Sequence, residues 1–600
     1  MKEIVMNKNR DKEIFYTLMA FLVTFLLSFW GIYGFEIPWS GDSTFTIANG
    51  MYFAGYNWNS LLKYHAYYGW GYMIFYTPII KLVKNPYVLY RFFLIGNYCL
   101  YAFSSMMVYK IIRQISDVSE RKALIFSVLS IIWMPTFVQK DFVINESALL
   151  FWTVLVVFLF VRQKKIRKYK TVYSIFVGCI LAYGYSIHSR SIVFMIAFIL
   201  VLVLERFLFS IKRFRFGFFF AGFFLTLMIM SQMSRYMQNS LWEGYIASAL
   251  PNTMGTTVGK LRFFSYLFDG KKITEFFKIL LTNLVTYIYI TGGLWAFCLV
   301  SAISSIIYIM RNRKKKIDVD IFSLSLLGLL SFLAMVFVIS LSYVGILEEG
   351  QYSYKYLFYY RYASHYGCIL WIMFFCYYER NNRRSNRGVW MVSSILLFLS
   401  AFWMCTFLVN DIQPVRYNLN KTTLFNIFKW VSDLIGENEL NDVTFLLCTK
   451  FLILLGFIFC ILLEKNFFKY ACLLFGILSV TSYLYINGIV SDIVQKEKQR
   501  IDETVEYVQF SSKLNWDKYK IYFGGEGTYS CALRYGLFNV DMEYLIDLRD
   551  IELKNALCFT DNLENIETSD YYCIEMGENE FIVTGDFEIY NELSRDYYNR

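Results

Sequence analysis

The stretch IFYTLMAFLVTFLLSFWGIYG, residues 14–34, carries no charged side chain. A helix of this length would cross the hydrocarbon core of a bilayer, which is about 30 Å thick. The stretch is too long for the apolar core of a signal peptide and has no small-residue cleavage site, so we expect a retained helix. Similar runs recur along the 600-residue chain, in which 57% of residues are hydrophobic and only 18% are charged. The sequence therefore predicts a polytopic α-helical membrane protein.

The apolar runs predict thirteen spans, and the charges between the runs predict their orientation. The spans are residues 14–34, 87–110, 122–138, 145–161, 171–187, 190–205, 215–233, 281–310, 319–343, 363–378, 388–409, 445–463 and 468–489. Alternate connections, such as RQKKIRKYK and ERNNRRSNR, are short and strongly basic, which places them and the N-terminus on the cytoplasmic side of the plasma membrane. These loops also explain the net charge of +11, so we predict no nucleic-acid partner.

The first outward loop, residues 35–86, contains two apolar segments that are too short or too polar for a simple span. They read STFTIANGMYFAG and YYGWGYMIFYTPIIKLV. We expect both to form helices that lie at the membrane interface. The second segment could also be a span, but it would then upset the alternation of charge between the loops.

The composition changes after Ile489, where the chain becomes charged and ordinary. We therefore predict a multi-span domain over residues 1–490 and a small extracytoplasmic α/β domain over residues 491–600. The segments KIYFGG, NVDMEYLI, ALCFTD, YYCIEM and EFIVTGDF are typical of short strands. An odd number of spans places this domain outside the cytoplasm.

Ionisable side chains gather at the outward ends of the predicted spans, where charge is costly and often functional. The set comprises Asp42, His65, Asp141, Glu146, His188, Arg190, Lys355, Arg361 and His365. Structural roles are open for several of them: Asp42 could cap the helix that follows it, and His188 with Arg190 could anchor the interface. Taken together, the cations suit a phosphate and a carboxylate suits deprotonation of a hydroxyl. The set fits group transfer from a lipid-phosphate donor.

Residues 14–380 resemble the GT-C glycosyltransferases, most closely the bacterial relatives of protein O-mannosyltransferases and of the aminoarabinose transferase that modifies lipid A. The resemblance rests on WSGDSTF after the first span, on the aromatic and glycine-rich YYGWGYMIFYTPII, on Asp141 with NES at 145–147, and on YYRYASH at 359–365. Many relatives have two adjacent acids where this chain has Asp42 alone, and Ser364 and His365 follow the Arg-Tyr pair where Pro or Glu is usual.

The resemblance implies a GT-C fold and transfer of a sugar from a polyprenyl-phosphate carrier to an acceptor at the outer face of the membrane. The acceptor is open among a cell-wall polymer, a lipid and a protein, and so is the stereochemical outcome. Asp42 would be the base, and Asp141 or Glu146 would orient the acceptor or hold a divalent cation, Mg²⁺ or Mn²⁺. The donor phosphate would be bound by Arg190, Arg361 and Lys355. The supporting donors would be His188, His365 and His65.

Three other classes of protein stay open. A polysaccharide polymerase would need a large outer loop with several arginines, whereas residues 234–280 contain only Arg235 and Arg262. A transporter or flippase would place polar residues near the bilayer midplane and show internal repeats. A scaffold that merely displays the C-terminal domain would tolerate substitution of Asp42 and Arg361.

Overall fold

The computed structural model describes residues 2–38, 41–62, 67–166, 168–242, 265–312, 319–347, 360–380, 383–408, 415–416, 439–440, 442–464, 467–510, 516–525, 527–545, 553–563, 566, 571–577 and 580–598. Two of the predicted site residues, His65 and Lys355, lie outside these ranges.

Helices dominate the described chain. They are α1 (Lys2–Phe29), α2 (Gly41–Ala54), α3 (Asn59–Leu62), α4 (Thr77–Leu82), α5 (Pro86–Ile115), α6 (Glu120–Ile132), α7 (Met134–Phe137), α8 (Asn145–Arg162), α9 (Lys170–Ile187), α10 (Ser191–Phe209), α11 (Phe216–Leu241), α12 (Gly270–Ile290), α13 (Leu294–Arg311), α14 (Val319–Leu347), α15 (Arg361–Arg380), α16 (Arg383–Trp403), α17 (Asp442–Glu464), α18 (Phe468–Phe510), α19 (Gly527–Gly536) and α20 (Phe587–Tyr598). Short 3₁₀ turns occupy Met73–Tyr76, Val138–Asp141, Gln163–Lys165, Tyr266–Phe268 and Trp516–Lys518, and a π-helical turn occupies Met404–Leu408.

The protein is a multi-pass membrane protein. Within the described residues, 11 helices are long and apolar enough to cross a bilayer, or up to 12 if one bent pair counts as a single span. Each of the thirteen predicted spans coincides with a helix or with two consecutive helices. The structure differs from the prediction in where the long apolar runs break.

The predicted span 281–310 is wrong as a single helix, because the chain breaks between α12 and α13. Gly292 and Gly293 have φ values of +57° and +88°, the left-handed region that ends a helix. The two helices nevertheless lie one after the other along α14: Asn283 donates to Ser340 at 3.0 Å, and the Trp295 ring lies 5.0 Å from that of Phe332.

The predicted span 122–138 is also interrupted. α6 ends at Ile132, and the chain resumes as α7 and the following 3₁₀ turn at an angle of 58° to α6. Pro135 lies in the first turn of α7, where it has no N–H to continue the hydrogen-bond ladder of α6. The bend directs residues 134–141 back into the bundle.

The first outward loop is more deeply buried than predicted. α2 was expected at the membrane interface, but its residues 43–51 are all buried. The YYGWGYMIFYTPIIKLV segment forms only a 3₁₀ turn and the six-residue α4, so it is not a span. The polar side chains of Ser43, Thr44, Thr46 and Asn49 therefore lie inside the protein, whereas those of Lys81 and Lys84 are exposed.

The C-terminal α/β domain has a five-stranded sheet with the order β4-β3-β5-β7-β6. The strands are β3 (Lys520–Gly524), β4 (Glu543–Tyr544), β5 (Ala556–Thr560), β6 (Tyr572–Gly577) and β7 (Glu580–Thr584), and a separate pair is formed by β1 (Val415–Arg416) and β2 (Glu439–Leu440). β3 is parallel to β4 and β5, whereas β7 is antiparallel to β5 and β6. These strands fall on the segments predicted for them. The boundary at residue 490 stays a prediction, since α18 continues through it without a break.

Candidate active site

Glu146 is the centre of the polar cluster at one end of the bundle. It lies in the first turn of α8, and its side chain is 1% exposed. Its Oε1 accepts from Arg361 Nε at 2.7 Å and from Arg190 Nη2 at 3.0 Å. Arg361 starts α15 and Arg190 precedes α10. Three helix ends thus bring one buried carboxylate and two guanidinium groups together.

Asp42 joins this cluster through Arg361. Arg361 Nη1 donates to Asp42 Oδ2, while the Tyr68 hydroxyl donates to Asp42 Oδ1. The Asp42 side chain is 32% exposed and that of Arg361 is 5% exposed. Asp42 is therefore the accessible acid of the cluster, and Arg361 bridges it to the buried Glu146.

Arg190 is held from several directions. Its guanidinium lies over the Tyr362 ring at 3.8 Å, and its Nη2 lies 2.8 Å from His188 Nε2. The Tyr366 hydroxyl donates to its carbonyl oxygen at 3.2 Å. Packing around the ring and the adjacent Arg190 charge lower the pKa of His188 well below its usual value. His188 is therefore neutral at physiological pH.

The glycine-rich segment at residues 69–71, which we call the strap, positions Tyr68 beside Asp42. Gly71 N–H donates to Ser186 O at 2.8 Å, and the Tyr183 hydroxyl donates to Gly71 O at 2.6 Å. A Cβ on Gly69 would lie 2.1 Å from the carbonyl oxygen of Ile187, so the backbones approach too closely for any side chain. The strap thus ties Tyr68 to the end of α9, next to His188.

Asp141 lies in a different cluster from Glu146. Lys140 Nζ donates to its Oδ1 at 2.6 Å, and the Tyr483 hydroxyl from α18 donates to its Oδ2 at 2.8 Å. Tyr98 from α5 adds a third hydrogen bond at 3.0 Å. Lys140 and Asp141 are both fully buried. Both oxygens of Asp141 are thus engaged by side chains of the bundle.

The remaining predicted residues are placed as follows. His365 is buried one turn after Arg361, and neither of its ring nitrogens has a hydrogen-bond partner among the described residues. His65 and Lys355 fall outside the described ranges. Over those ranges, no group of three or more His, Cys, Asp or Glu side chains is arranged to hold a metal ion.

Sequence reasoning missed Tyr68 and Tyr362 as members of the site. Both occur in segments that drew attention for other reasons, YYGWGYM and YYRYASH. Tyrosines are so common at membrane interfaces that their presence there says little. The useful signal was the pair of glycines at 69 and 71, which requires close backbone packing and hence a fixed position for the adjacent Tyr68.

Comparison with known proteins gives similar solved structures but no matching family model and no matching curated protein. ArnT from Cupriavidus metallidurans bound to undecaprenyl phosphate has a TM-score of 0.51 at 11% identity, with 95% of this chain and 98% of that chain covered. The apo state of the same protein has a TM-score of 0.51 at 12% identity, with the same coverage. The Archaeoglobus fulgidus oligosaccharyltransferase in the apo form has a TM-score of 0.45 at 10% identity, covering 88% of this chain and 64% of that chain.

The chain thus has the GT-C fold, as the sequence resemblance predicted. The likeness to ArnT extends over nearly the whole of both chains, so it includes the C-terminal α/β domain as well as the spans.

Proposed function

We propose that this protein is a glycosyltransferase that moves a sugar from a polyprenyl-phosphate donor to a cell-envelope acceptor at the outer face of the membrane. The observation that carries the proposal is the bridge formed by Arg361 between the accessible Asp42 and the buried Glu146. The Arg361 guanidinium thereby connects a carboxylate that can accept a proton, Asp42, with a pair of fixed cations that can bind an anion.

The two arginines supply the site for the donor phosphate. Guanidinium groups match phosphate oxygens in geometry and remain charged. Glu146 holds Arg190 and Arg361 side by side, and Tyr362 supports Arg190 from below its plane. Fixed cations at this position would stabilise the charge that builds up on the leaving phosphate.

Asp42 supplies the base for the acceptor. In the transfer step its carboxylate takes the proton of an acceptor hydroxyl, and the hydroxyl oxygen forms a bond to the anomeric carbon. The bond between that carbon and the phosphate oxygen breaks, and polyprenyl phosphate leaves with the electron pair. Asp42 then returns its proton to solvent. A single displacement of this kind inverts the anomeric centre and needs only one carboxylate as a base, which is Asp42. Glu146 does not take that role, since its Oε1 is held by two arginines.

The other predicted residues take supporting roles in this proposal. His188 holds Arg190 as a neutral hydrogen-bond partner. His365 lies one turn after Arg361 on the same helix and packs against Tyr366. We place Asp141 outside the reaction, because Lys140, Tyr98 and Tyr483 use both of its oxygens in a buried cluster that ties α18 to the bundle.

The kind of donor and the side of the membrane rest on further support. One structure with this fold holds undecaprenyl phosphate, which favours a lipid-phosphate donor here. The strongly basic loops occur at every second connection between spans, which favours a cytoplasmic N-terminus and an outward site. The acceptor is a cell-wall polymer, a lipid or a protein.

The test is transfer of labelled sugar from polyprenyl-phosphate donors in membranes that contain the wild type, Asp42→Asn or Arg361→Ala at equal protein levels. We expect both variants to lose at least about 100-fold in rate, the usual scale for a base or a charge-stabilising donor. Glu36→Gln is the matched control, because Glu36 is an acid of the same loop that pairs with Arg91 instead. Transfer by Asp42→Asn within a few-fold of the wild type would show that Asp42 is not the base.

A further inference from the structure

The guanidinium of Arg361 already binds two carboxylates. Arg361 Nε is committed to Glu146 at 2.7 Å, and Nη1 donates to Asp42 Oδ2. A phosphate that approaches Arg361 therefore meets a carboxylate on the same guanidinium. The phosphate and the Asp42 carboxylate repel each other when both bind one guanidinium. Water screens this repulsion poorly, because Arg361 is only 5% exposed.

Of the two carboxylates on Arg361, only Asp42 is placed to move. Glu146 is 1% exposed, is fixed in the first turn of α8 and holds Arg190 as well. Asp42 is 32% exposed, and its other oxygen is held by the Tyr68 hydroxyl. Loss of the contact with Arg361 would leave Asp42 attached to Tyr68 through Oδ1 and would free Oδ2.

We propose that the donor phosphate and Asp42 compete for Arg361, so that donor binding releases Asp42 Oδ2 to accept a proton from the acceptor. The inference rests on the proposed function and adds an order of events to it. Before the donor binds, Oδ2 accepts an N–H from the charged Arg361, which makes Asp42 a weaker base for the acceptor proton. After the donor binds, Tyr68 keeps the freed carboxylate in place, so Asp42 reaches its full basicity only when a sugar is ready for transfer.

Competition makes a specific prediction about binding. Removal of the negative charge at residue 42 takes away the competitor, so a variant that loses transfer should bind the donor phosphate more tightly. Asn keeps a carbonyl oxygen for the Tyr68 hydroxyl, which preserves the loop around it. We expect Asp42→Asn to bind a polyprenyl phosphate about five-fold more tightly than the wild type, the scale of a partly exposed ion pair.

The measurement is the dissociation constant of a polyprenyl phosphate in detergent micelles for the purified full-length wild type and variants. Glu36→Gln removes one negative charge from the same loop without touching Arg361, so it should bind within about two-fold of the wild type. In an Arg361→Ala background, Asp42→Asn should have no further effect, because the competition acts through that guanidinium. Asp42→Ala serves as a second charge-removing variant if Asp42→Asn is poorly folded.

The outcomes separate this inference from the proposed function. Tighter binding by Asp42→Asn that disappears in the Arg361→Ala background supports competition. Equal or weaker binding by Asp42→Asn and Asp42→Ala, with a wild type that binds, overturns the competition and leaves the proposed function standing. Tighter binding that Glu36→Gln reproduces also overturns it, because a general charge effect would then suffice. A wild type that binds no polyprenyl phosphate overturns both proposals.

Discussion

Glu146 shows how much one buried side chain determines about this site. Its Oε1 lies within 3.0 Å of both Arg190 Nη2 and Arg361 Nε. Without that carboxylate, two positive charges would face each other in a region with little water, and at least one would turn away. Glu146 therefore keeps the two cations close enough to act on one phosphate.

His188 contributes a pH dependence to this cluster. Packing and the Arg190 charge lower its pKa, so the folded protein does not take up the proton that the unfolded chain binds below about pH 6.5. The folded state then loses stability as the pH falls through that value. We expect thermal unfolding in detergent to show a loss of stability between pH 7.5 and 5.5 that is about 1 kcal/mol smaller in His188→Gln than in the wild type.

The control for this prediction is Ser189→Ala, a change in the same turn at an exposed, non-titrating residue. Its stability should follow that of the wild type at both pH values. Parallel pH curves for the wild type and His188→Gln would show that His188 titrates in the folded protein as it does in water.

The sequence could identify the ionisable residues at this end of the bundle but could not rank them. Asp141 and Glu146 lie in one motif, KDFVINES, at the outward end of one predicted span, so the sequence offers both as candidates. Only the tertiary structure shows that Tyr483, which is far away in the sequence, binds Asp141, whereas Arg190 and Arg361 bind Glu146. Local sequence carries no record of such distant partners.

Among the elements, the strap at residues 69–71 has the most direct link to the site. It positions Tyr68 by packing backbone on backbone against the end of α9. In Gly69→Ala the new Cβ would lie 2.1 Å from Ile187 O, so the strap must shift and carry Tyr68 away from Asp42. We expect the rate of sugar transfer to fall by about 10- to 100-fold, since a displacement near 1 Å is enough for such a loss.

Gly217→Ala is the matched control, because a Cβ at that position in α11 meets no atom within 4 Å. Its transfer rate should stay within about two-fold of the wild type. Gly69→Ala should bind a polyprenyl phosphate nearly as well as the wild type, since Arg190 and Arg361 lie on other elements. Normal transfer by Gly69→Ala would show that Tyr68 is not positioned by the strap.

Membrane spans are easier to predict from the sequence than the breaks inside them. Long apolar runs predicted a helix or a pair of helices at each position, because a bilayer accepts few other patterns, although only 11 or 12 of the described helices are long and apolar enough to cross it. The breaks inside those runs were harder to locate: Pro135 and the pair Gly292–Gly293 are visible in the sequence, but membrane helices often tolerate such residues. Whether a glycine pair ends a helix depends on its neighbours, here Leu455 and Gly456 of α17.

In the whole molecule, the C-terminal domain is packed directly onto the loop that carries Asp42. α19 packs against α2. The Tyr535 hydroxyl donates to Pro86 O at 2.8 Å, and Tyr544 N–H donates to Ser60 Oγ at 2.9 Å. Because α2 also carries Asp42, the position of this domain bears on the site.

Arg534 is the main polar link across that contact and gives the last prediction. It is 1% exposed, lies over the Trp58 ring at 4.9 Å and donates to Asn57 O at 2.6 Å. Two further hydrogen bonds reach the carbonyl groups of Leu537 and Val540, within the domain itself. In Arg534→Ala, the carbonyl groups of Asn57, Leu537 and Val540 lose this guanidinium as a donor, and a buried group left without any partner costs about 1–3 kcal/mol. We expect hydrogen exchange to accelerate by about ten-fold or more at residues 57–62 and 527–540, and sugar transfer to fall with it.

Lys554→Ala, an exposed change in the same domain, should alter neither measurement. Faster exchange without loss of transfer would mean that the domain is docked on the loop but is not needed to hold Asp42 in place.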